Sequence, residues 1–309
     1  MICLGFDTSN YTTSCAAFDG TEARNESQLL PVKPGELGLR QSEALFFHVQ
    51  RLPELSDRLF ARLDPARIKA VGVSTRPRAV EGSYMPCFLA GESQARVLAS
   101  ALHLPIFSFS HQQGHIAAVL WSARRTDLFG QRFLAWHLSG GTTELLRVTS
   151  SEDGEIRCEK IGGTTDISAG QLIDRTGKLL GMDFPAGKAL DLAAAEAPDA
   201  EWFRVKVNGS SFSLSGVENQ VRALLQKGAG KAETARFALR TVAEAVRTAT
   251  CNALKNEESA VVFSGGVASN SLLRARLGDL EAVFGEPRYS TDNALGIAVL
   301  THMKQSRPG

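Results

Sequence analysis

Two histidines four positions apart open an apolar run in the segment FSHQQGHIAAVLW, residues 109–121. On a helix, residues i and i+4 share a face, so His111 and His115 are placed to share one first-row metal ion. The spacing is that of the H-E-x-x-H metalloprotease helix, but Gln112 stands where that motif has its general base. A carboxamide does not take up a proton at neutral pH, which argues against hydrolysis of that kind. A histidine pair alone suits a structural role equally well, and a third ligand would decide. Asp292, in YSTDNALGIAVL at the start of the last helix, is a candidate, and its alternative role is that of an ordinary N-cap.

Three turns offer a second kind of chemistry. DTSN, LSGGTT and SGGVASN each combine Gly, Ser, Thr or Asn at a strand end. Glycine lets backbone N–H groups approach an anion, and hydroxyls add donors. One such turn is equally a favourable hairpin. Three together fit a nucleotide, with phosphates on Thr8, Ser9 and Asn10 and on the LSGGTT turn, and the nucleoside against SGGVASN, where a helix N-terminus presents its amides. Neither a G-x-x-x-x-G-K-[ST] loop nor a G-x-G-x-x-G fingerprint occurs.

These residues need elements to position them. ICLGFDTSNYTTSCAAF reads as strand, polar turn, strand, and RFLAWHLSGGTTELLRV repeats that design. AVVFSGGVASNSLLRARL runs strand, Gly-Gly turn, helix. Between the first two lie a helix over RQSEALFFHVQRLPELSDRLFARL, in which Pro53 is expected to kink or split the chain, a strand at IKAVGVS, a helix at AGESQARVLASAL and a strand at LPIFSFS. Helices are expected around QLIDRTGKLLGM, ALDLAAAEA, SGVENQVRALLQ and AETARFALRTVAEAVRTATCNALK. The internal repeat predicts an α/β protein of two similar lobes with a cleft between them.

The chain of 309 residues carries 34 basic and 33 acidic side chains, so no overall field marks a nucleic-acid binder, and RNA contact would rest on a local patch or a partner. Five scattered cysteines without a C-x-x-C pair read as reduced thiols of a cytoplasmic protein. No stretch approaches the ~20 apolar residues of a membrane helix.

Taken in order, LGFDTSN, SHQQGH, LSGGTTEL, DISAGQLIDRTGKLLGMDFPAGKALD, FSLSG, FSGGVASNSLLRARL and STDNALGIA resemble the TsaD-type threonylcarbamoyl-transferases of the actin, Hsp70 and sugar-kinase superfamily. The resemblance spans nearly the whole chain. It implies two actin-like (ASKHA, RNase H-like) lobes, residues 1–130 with the C-terminal helix 292–309, and residues 131–291. It implies transfer of a threonylcarbamoyl group from threonylcarbamoyl-AMP to N6 of the adenosine 3′ of the tRNA anticodon. By the same resemblance His111, His115 and Asp292 hold one divalent iron or zinc ion. Ser139, Gly140, Gly141, Thr142, Asp174, Gly187, Asp191 and Asn270 bind the adenylate donor or ATP, and tRNA and TsaB- and TsaE-like proteins are the expected partners.

This chain also departs from the family pattern. Tyr11 and Thr12 stand where the family has an acidic pair, and Thr142 replaces the histidine of SGGH. A Gly-Pro-Gly segment has become STRPRAVEGSYMP, bringing in Arg76 and Arg78, either as a solvated loop or as an anion or RNA contact. No catalytic side chain is assigned. The departures open two alternatives: a paralogue that carbamoylates another acceptor, and a non-catalytic nucleotide-binding subunit.

Overall fold

The opening strand β1 (Ile2–Asp7) is buried along its whole length, as an apolar strand covered on both faces should be. It runs antiparallel to β2 (Thr12–Phe18), which pairs with the edge strand β3 (Ala23–Leu29). Helix α1 (Gln41–Phe60) leads to β4 (Ile68–Arg76), parallel to β1, and helix α2 (Phe88–Ala101) to β5 (Ile106–Ser110), parallel to β4. Helix α3 (His111–Ser122) follows at once. In this computed structural model, which describes residues 1–9, 11–32, 39–198, 201–255, 259–290 and 294–306, these strands form one sheet in the order β3-β2-β1-β4-β5.

The pattern then starts again. β6 (Arg132–Leu138) is antiparallel to β7 (Thr143–Ser150), and β7 to β8 (Ile156–Thr164). Helices α4 (Ala169–Leu179) and α5 (Gly187–Ala195), the short strands β9 (Val207–Asn208) and β10 (Ser211–Phe212), and helices α6 (Ser215–Gln226) and α7 (Lys231–Leu254) intervene. The chain returns as β11 (Val261–Ser264), parallel to β6, then α8 (Ser271–Leu277), β12 (Ala282–Phe284), α9 (Pro287–Ser290) and α10 (Leu295–Gln305). The second sheet has the order β12-β11-β6-β7-β8-β10-β9. Its run β8-β7-β6-β11-β12 matches β3-β2-β1-β4-β5 in order and direction, so the expected pair of α/β lobes is present as a duplicated strand pattern.

Packing joins the lobes. Leu52, Leu55 and Leu59 of α1 cover Leu4, Phe6, Val71 and Val73 on one face of the first sheet, together with Ala95 and Ala99 of α2. Each buried leucine contributes about 1.5–3 kcal/mol. On the opposite face α10 lies so close that a Cβ on Gly5 would stand 2.5 Å from the Ala294 carbonyl oxygen. Helices α3 and α10 share a core with the second sheet, where Ile116, Leu120 and Ile297 meet Phe133, Ala135 and Val262. The two helices cross where Gly296 lies against the Gly114 carbonyl. The start of α3 is thereby held rigidly between the sheets.

Pro53 does not split α1, which runs unbroken through it. The carbonyl it deprives of a partner belongs to Val49, which is exposed, so water can take the place of the missing N–H. The buried stripe Ala44, His48, Leu52, Leu55, Leu59 continues on both sides and holds the helix to the sheet. Among the described residues no helix is long and apolar enough to cross a membrane.

Candidate functional site

The parallel strands β1, β4, β5, β6 and β11 end in turns, the position where α/β sheets place their ligands. At the end of β5, Ser110 caps α3. Its hydroxyl accepts from Gln113 N–H, and the Gln113 side chain accepts from Ser110 N–H at 2.7 Å. This capping box makes His111 the first residue of the helix and sets His115 one turn on. Their ring centroids are 4.2 Å apart. The sequence-predicted pair is therefore brought together.

Asp7, at the end of β1, orients the first of them. His111 Nδ1 donates to Asp7 Oδ2 at 2.7 Å, and Ser9 N–H donates to Asp7 Oδ1 at 2.8 Å. A carboxylate can only accept, so it fixes the His111 tautomer with the lone pair on Nε2. A third imidazole completes the cluster. His137, near the end of β6, stands 4.8 Å from His115 and 6.4 Å from His111, centroid to centroid.

Asp292, the third ligand that the resemblance implies, lies outside the described residues, as does Asn10. Among the described residues no group of three His, Cys, Asp or Glu side chains could hold a metal ion. The chemistry of the donors nevertheless fits a metal: two adjacent imidazoles, one of them backed by a carboxylate on its other nitrogen. Two residues after Asp7 the buried Ser9 hydroxyl has no hydrogen-bond partner among the described residues. An orphaned buried oxygen is costly unless a ligand satisfies it.

The Thr8 hydroxyl is fully buried, donates to the Cys87 carbonyl at 2.9 Å and accepts from Gly91 N–H at 3.1 Å, which ties the first turn of the chain to α2. Arg78 is not a loose cation, because it pairs at 2.9 Å with the buried Glu144, which Lys160 meets at 3.1 Å. Arg76 closes β4, exposed. Tyr11 reaches across to the second lobe and meets Phe184 edge-on at 5.9 Å, while Thr12 is buried at the start of β2.

The remaining predicted positions gather around the second lobe's turns. Ser139 N–H donates to the Thr142 carbonyl at 2.8 Å, and Thr142 N–H donates to Ser139 Oγ at 3.2 Å, closing the β6–β7 turn. The Ser168 hydroxyl donates to the Gly140 carbonyl at 2.6 Å and anchors the turn on the α4 N-terminus. Cβ atoms built on Gly140, Gly141 or Gly187 would meet nothing within 4 Å, so all three border open space. Asp174 of α4 accepts from Ala186 N–H at 2.9 Å, which sets the start of α5 at Gly187. Burial pushes the Asp174 carboxyl above its ordinary range, with that hydrogen bond opposing.

Asp191 of α5 accepts from both the backbone and the hydroxyl of Ser271, each at 2.9 Å, and so grips the α8 N-terminus. Next to it Asn270 caps α8, its carbonyl oxygen accepting from Leu273 N–H at 2.9 Å. The turn before it depends on Gly265 at φ +91°, where a Cβ would strike the Leu138 carbonyl.

Residues 37–299 match the family described as tRNA N6-adenosine threonylcarbamoyltransferase, TsaD. This chain belongs to that family. A Thermus thermophilus protein of that name is 31% identical over 268 residues, covering 84% of this chain and 79% of the relative. A Gluconobacter oxydans protein of the same name is 32% identical, covering 96% of this chain and 86% of the relative. Component A of the Acidaminococcus fermentans (R)-2-hydroxyglutaryl-CoA dehydratase superposes with a TM-score of 0.62 at 16% identity, covering 99% of this chain and all of that one. At that identity the likeness concerns the fold alone, an actin-like ASKHA pair of α/β lobes.

Asp7, His137, Ser264 and Glu144 are the site neighbours that sequence reading missed. Asp7 is the first residue of the DTSN turn, whose hydroxyl and amide residues drew the phosphate reading. His137 sits in an apolar strand between Trp136 and Leu138, where nothing local marks it.

Proposed function

We infer that this protein transfers a threonylcarbamoyl group from threonylcarbamoyl-AMP to N6 of the adenosine 3′ of a tRNA anticodon. Family membership supports the activity class. The observation that carries the residue assignment is the His111–His115 pair, oriented by Asp7 between the two sheets. His111 and His115, with Asp292, would hold one iron or zinc ion. Bound there, the ion supplies Lewis acidity toward the carbamoyl or phosphate oxygens of the donor.

The chain's own groups do the rest. The open backbone at Gly140 and Gly141 receives donor phosphate on N–H groups, held in shape by Ser139 and Ser168. The N-terminus of α5 directs its amides toward an anionic adenylate. Asn270, its carbonyl spent on the cap, offers its NH2 group to the base or sugar. Asp174 and Asp191 suit ribose hydroxyls, and Asp191 also fixes α8. No side chain is needed as a covalent nucleophile. TsaB- and TsaE-like proteins are the partners this reading expects.

One observation favours a second acceptor. Where the family has an acidic pair, Tyr11 closes on Phe184, so the acceptor side of the cleft presents aromatic surface in place of charge. The test is incubation of the chain and its partners with threonylcarbamoyl-AMP and unmodified tRNA, followed by nucleoside mass spectrometry. Threonylcarbamoyladenosine is the expected product. Tight donor binding without modified tRNA would replace tRNA by another acceptor, and failure to bind the donor would overturn the reading.

A further inference from the structure

We propose that the segment from Arg76 to Tyr84 holds the acceptor RNA, with Arg76 on a backbone phosphate and Tyr84 stacked on an unpaired base. The proposal rests on the tRNA-transfer reading above and goes beyond it. It gives the acceptor its own contact residues, on a segment where this chain departs from the family pattern.

With 34 basic against 33 acidic residues the chain has no overall field to draw RNA in, so affinity has to come from a few placed groups. Single-stranded RNA is held by cations on its phosphates and by aromatic rings on its unstacked bases. Arg76 and Tyr84 supply one of each. Arg76 is exposed, and among the described residues no ion-pair or hydrogen-bond partner engages its guanidinium. Arg78, two residues on, differs in being held by Glu144 at 2.9 Å. Tyr84 is 62% exposed, and its ring makes no ring contact among the described residues.

The fold brings this segment to the histidine pair. Arg76 pairs with Ser110 in the β4–β5 ladder, and the register shifts between Ser74 and Arg76, so the strand bends at its end. Gln112 N–H donates to the Pro77 carbonyl at 3.1 Å, which docks the segment on the first turn of α3 beside His111. Arg78 N–H donates to Ser83 Oγ at 3.0 Å and folds the chain back, bringing Tyr84 to the level of Arg78. Glu81, the carboxylate of the segment, lies in the turn between them. The Arg78–Glu144 pair ties the segment to β7, where Glu144 stands opposite His137. These bonds hold the segment in place before RNA arrives, so little ordering cost falls on binding. An adenosine presented to the histidines brings its flanking nucleotides within reach of Arg76 and Tyr84.

The experiment uses the full chain with its partner proteins, threonylcarbamoyl-AMP, and an unmodified tRNA transcript as the probe. Arg76→Ala should weaken tRNA binding about tenfold and flatten the slope of log affinity against log salt by about one. In turnover it should raise KM for tRNA by the same factor and change kcat far less. Arg76→Lys keeps the charge and should recover most of the affinity and the slope. Tyr84→Ala should weaken tRNA roughly 5- to 100-fold, while Tyr84→Phe keeps the stacking face and binds as wild type. Both side chains are exposed, so Tm and donor affinity by calorimetry should hold in all four variants. Equal tRNA binding by wild type, Arg76→Ala and Tyr84→Ala would overturn the proposal and leave the transferase reading standing. Loss of the TsaB-like partner from either variant, with tRNA binding by the chain alone unchanged, would make the segment a protein-docking surface and overturn it as well. A wild-type chain that binds the donor and no tRNA would overturn the tRNA reading itself, and this proposal with it.

Discussion

The β1–β2 and β6–β7 turns occupy equivalent positions in a duplicated strand pattern, yet they have been put to different uses. In the first lobe three side chains at the turn are engaged within the protein: Thr8 is bonded to α2, Asp7 to His111, and Tyr11 packs on Phe184. In the second lobe Ser139 and Thr142 bond to each other and the Gly140 carbonyl to Ser168, while the Cα positions of Gly140 and Gly141 border open space. The difference shows that a shared topology supplies two equivalent strand ends without dictating chemistry. Which end stays available to a ligand is decided by side chains. In the function proposed above, the first lobe's contribution to reactivity lies two strands over, at the histidines that follow β5.

The sharpest way to break this comparison is to remove those histidines. The double variant His111→Ala, His115→Ala should lose bound metal entirely and lower transfer on the order of 10³-fold, with donor binding at the second lobe largely kept. Metal analysis by mass spectrometry and calorimetry with donor check the two halves. Undiminished metal would show that the centre lies elsewhere.

A pair of glycine variants asks whether the lobes differ as described. Gly5→Ala drives a methyl into the backbone of α10, with Ala294 O at 2.5 Å and Ala298 N at 2.6 Å, both unable to yield. It should cost about 3 kcal/mol of stability, read as a fall in Tm. Gly141→Ala meets open space and should leave Tm within about 2 °C, but weaken donor binding roughly tenfold by blocking approach to the backbone. Equal effects on Tm would erase the distinction between a packed and an open lobe. Asp7→Asn comes next in size. It removes the charge behind His111 and should weaken metal 10- to 100-fold without displacing it, as chelator competition would show.

The duplicated frame was legible because strand–turn–strand patterns are local: GFDTSN and HLSGGT can be compared letter by letter. The histidine pair was legible because four residues is one helical turn. What escaped depends on distant chain segments. Asp7 and His111 are 104 positions apart, and His137 and Ser264 are 127 apart, so neither contact leaves a mark on nearby sequence. The bonds of Thr8 are hidden for a related reason, since its type says that a hydroxyl is present while only the placement of α2 decides where it points. The same holds for Arg78, whose partner Glu144 belongs to the other lobe. Pro53 leaves α1 unsplit, and the sequence does not reveal this because the effect of a lost N–H depends on whether the orphaned carbonyl faces water.

The smallest expected effect tests whether Asp174 is held for function at the expense of stability. Burial raises its carboxyl above the ordinary value, with the Ala186 hydrogen bond only partly offsetting. The folded protein then binds that proton more tightly than the unfolded chain does. Stability is accordingly lost as pH rises from the unfolded value of about 3.9 through the raised one, and above it the fold carries a poorly solvated charge. Asp174→Asn retains an oxygen for Ala186 N–H without the charge. It should therefore raise Tm by about 2 °C at pH 7, with the gain fading toward pH 4, while donor affinity falls. A lower Tm at neutral pH would mean that the carboxylate is chiefly a prop for α5, and the second lobe would then be less open to ligand than its glycines indicate.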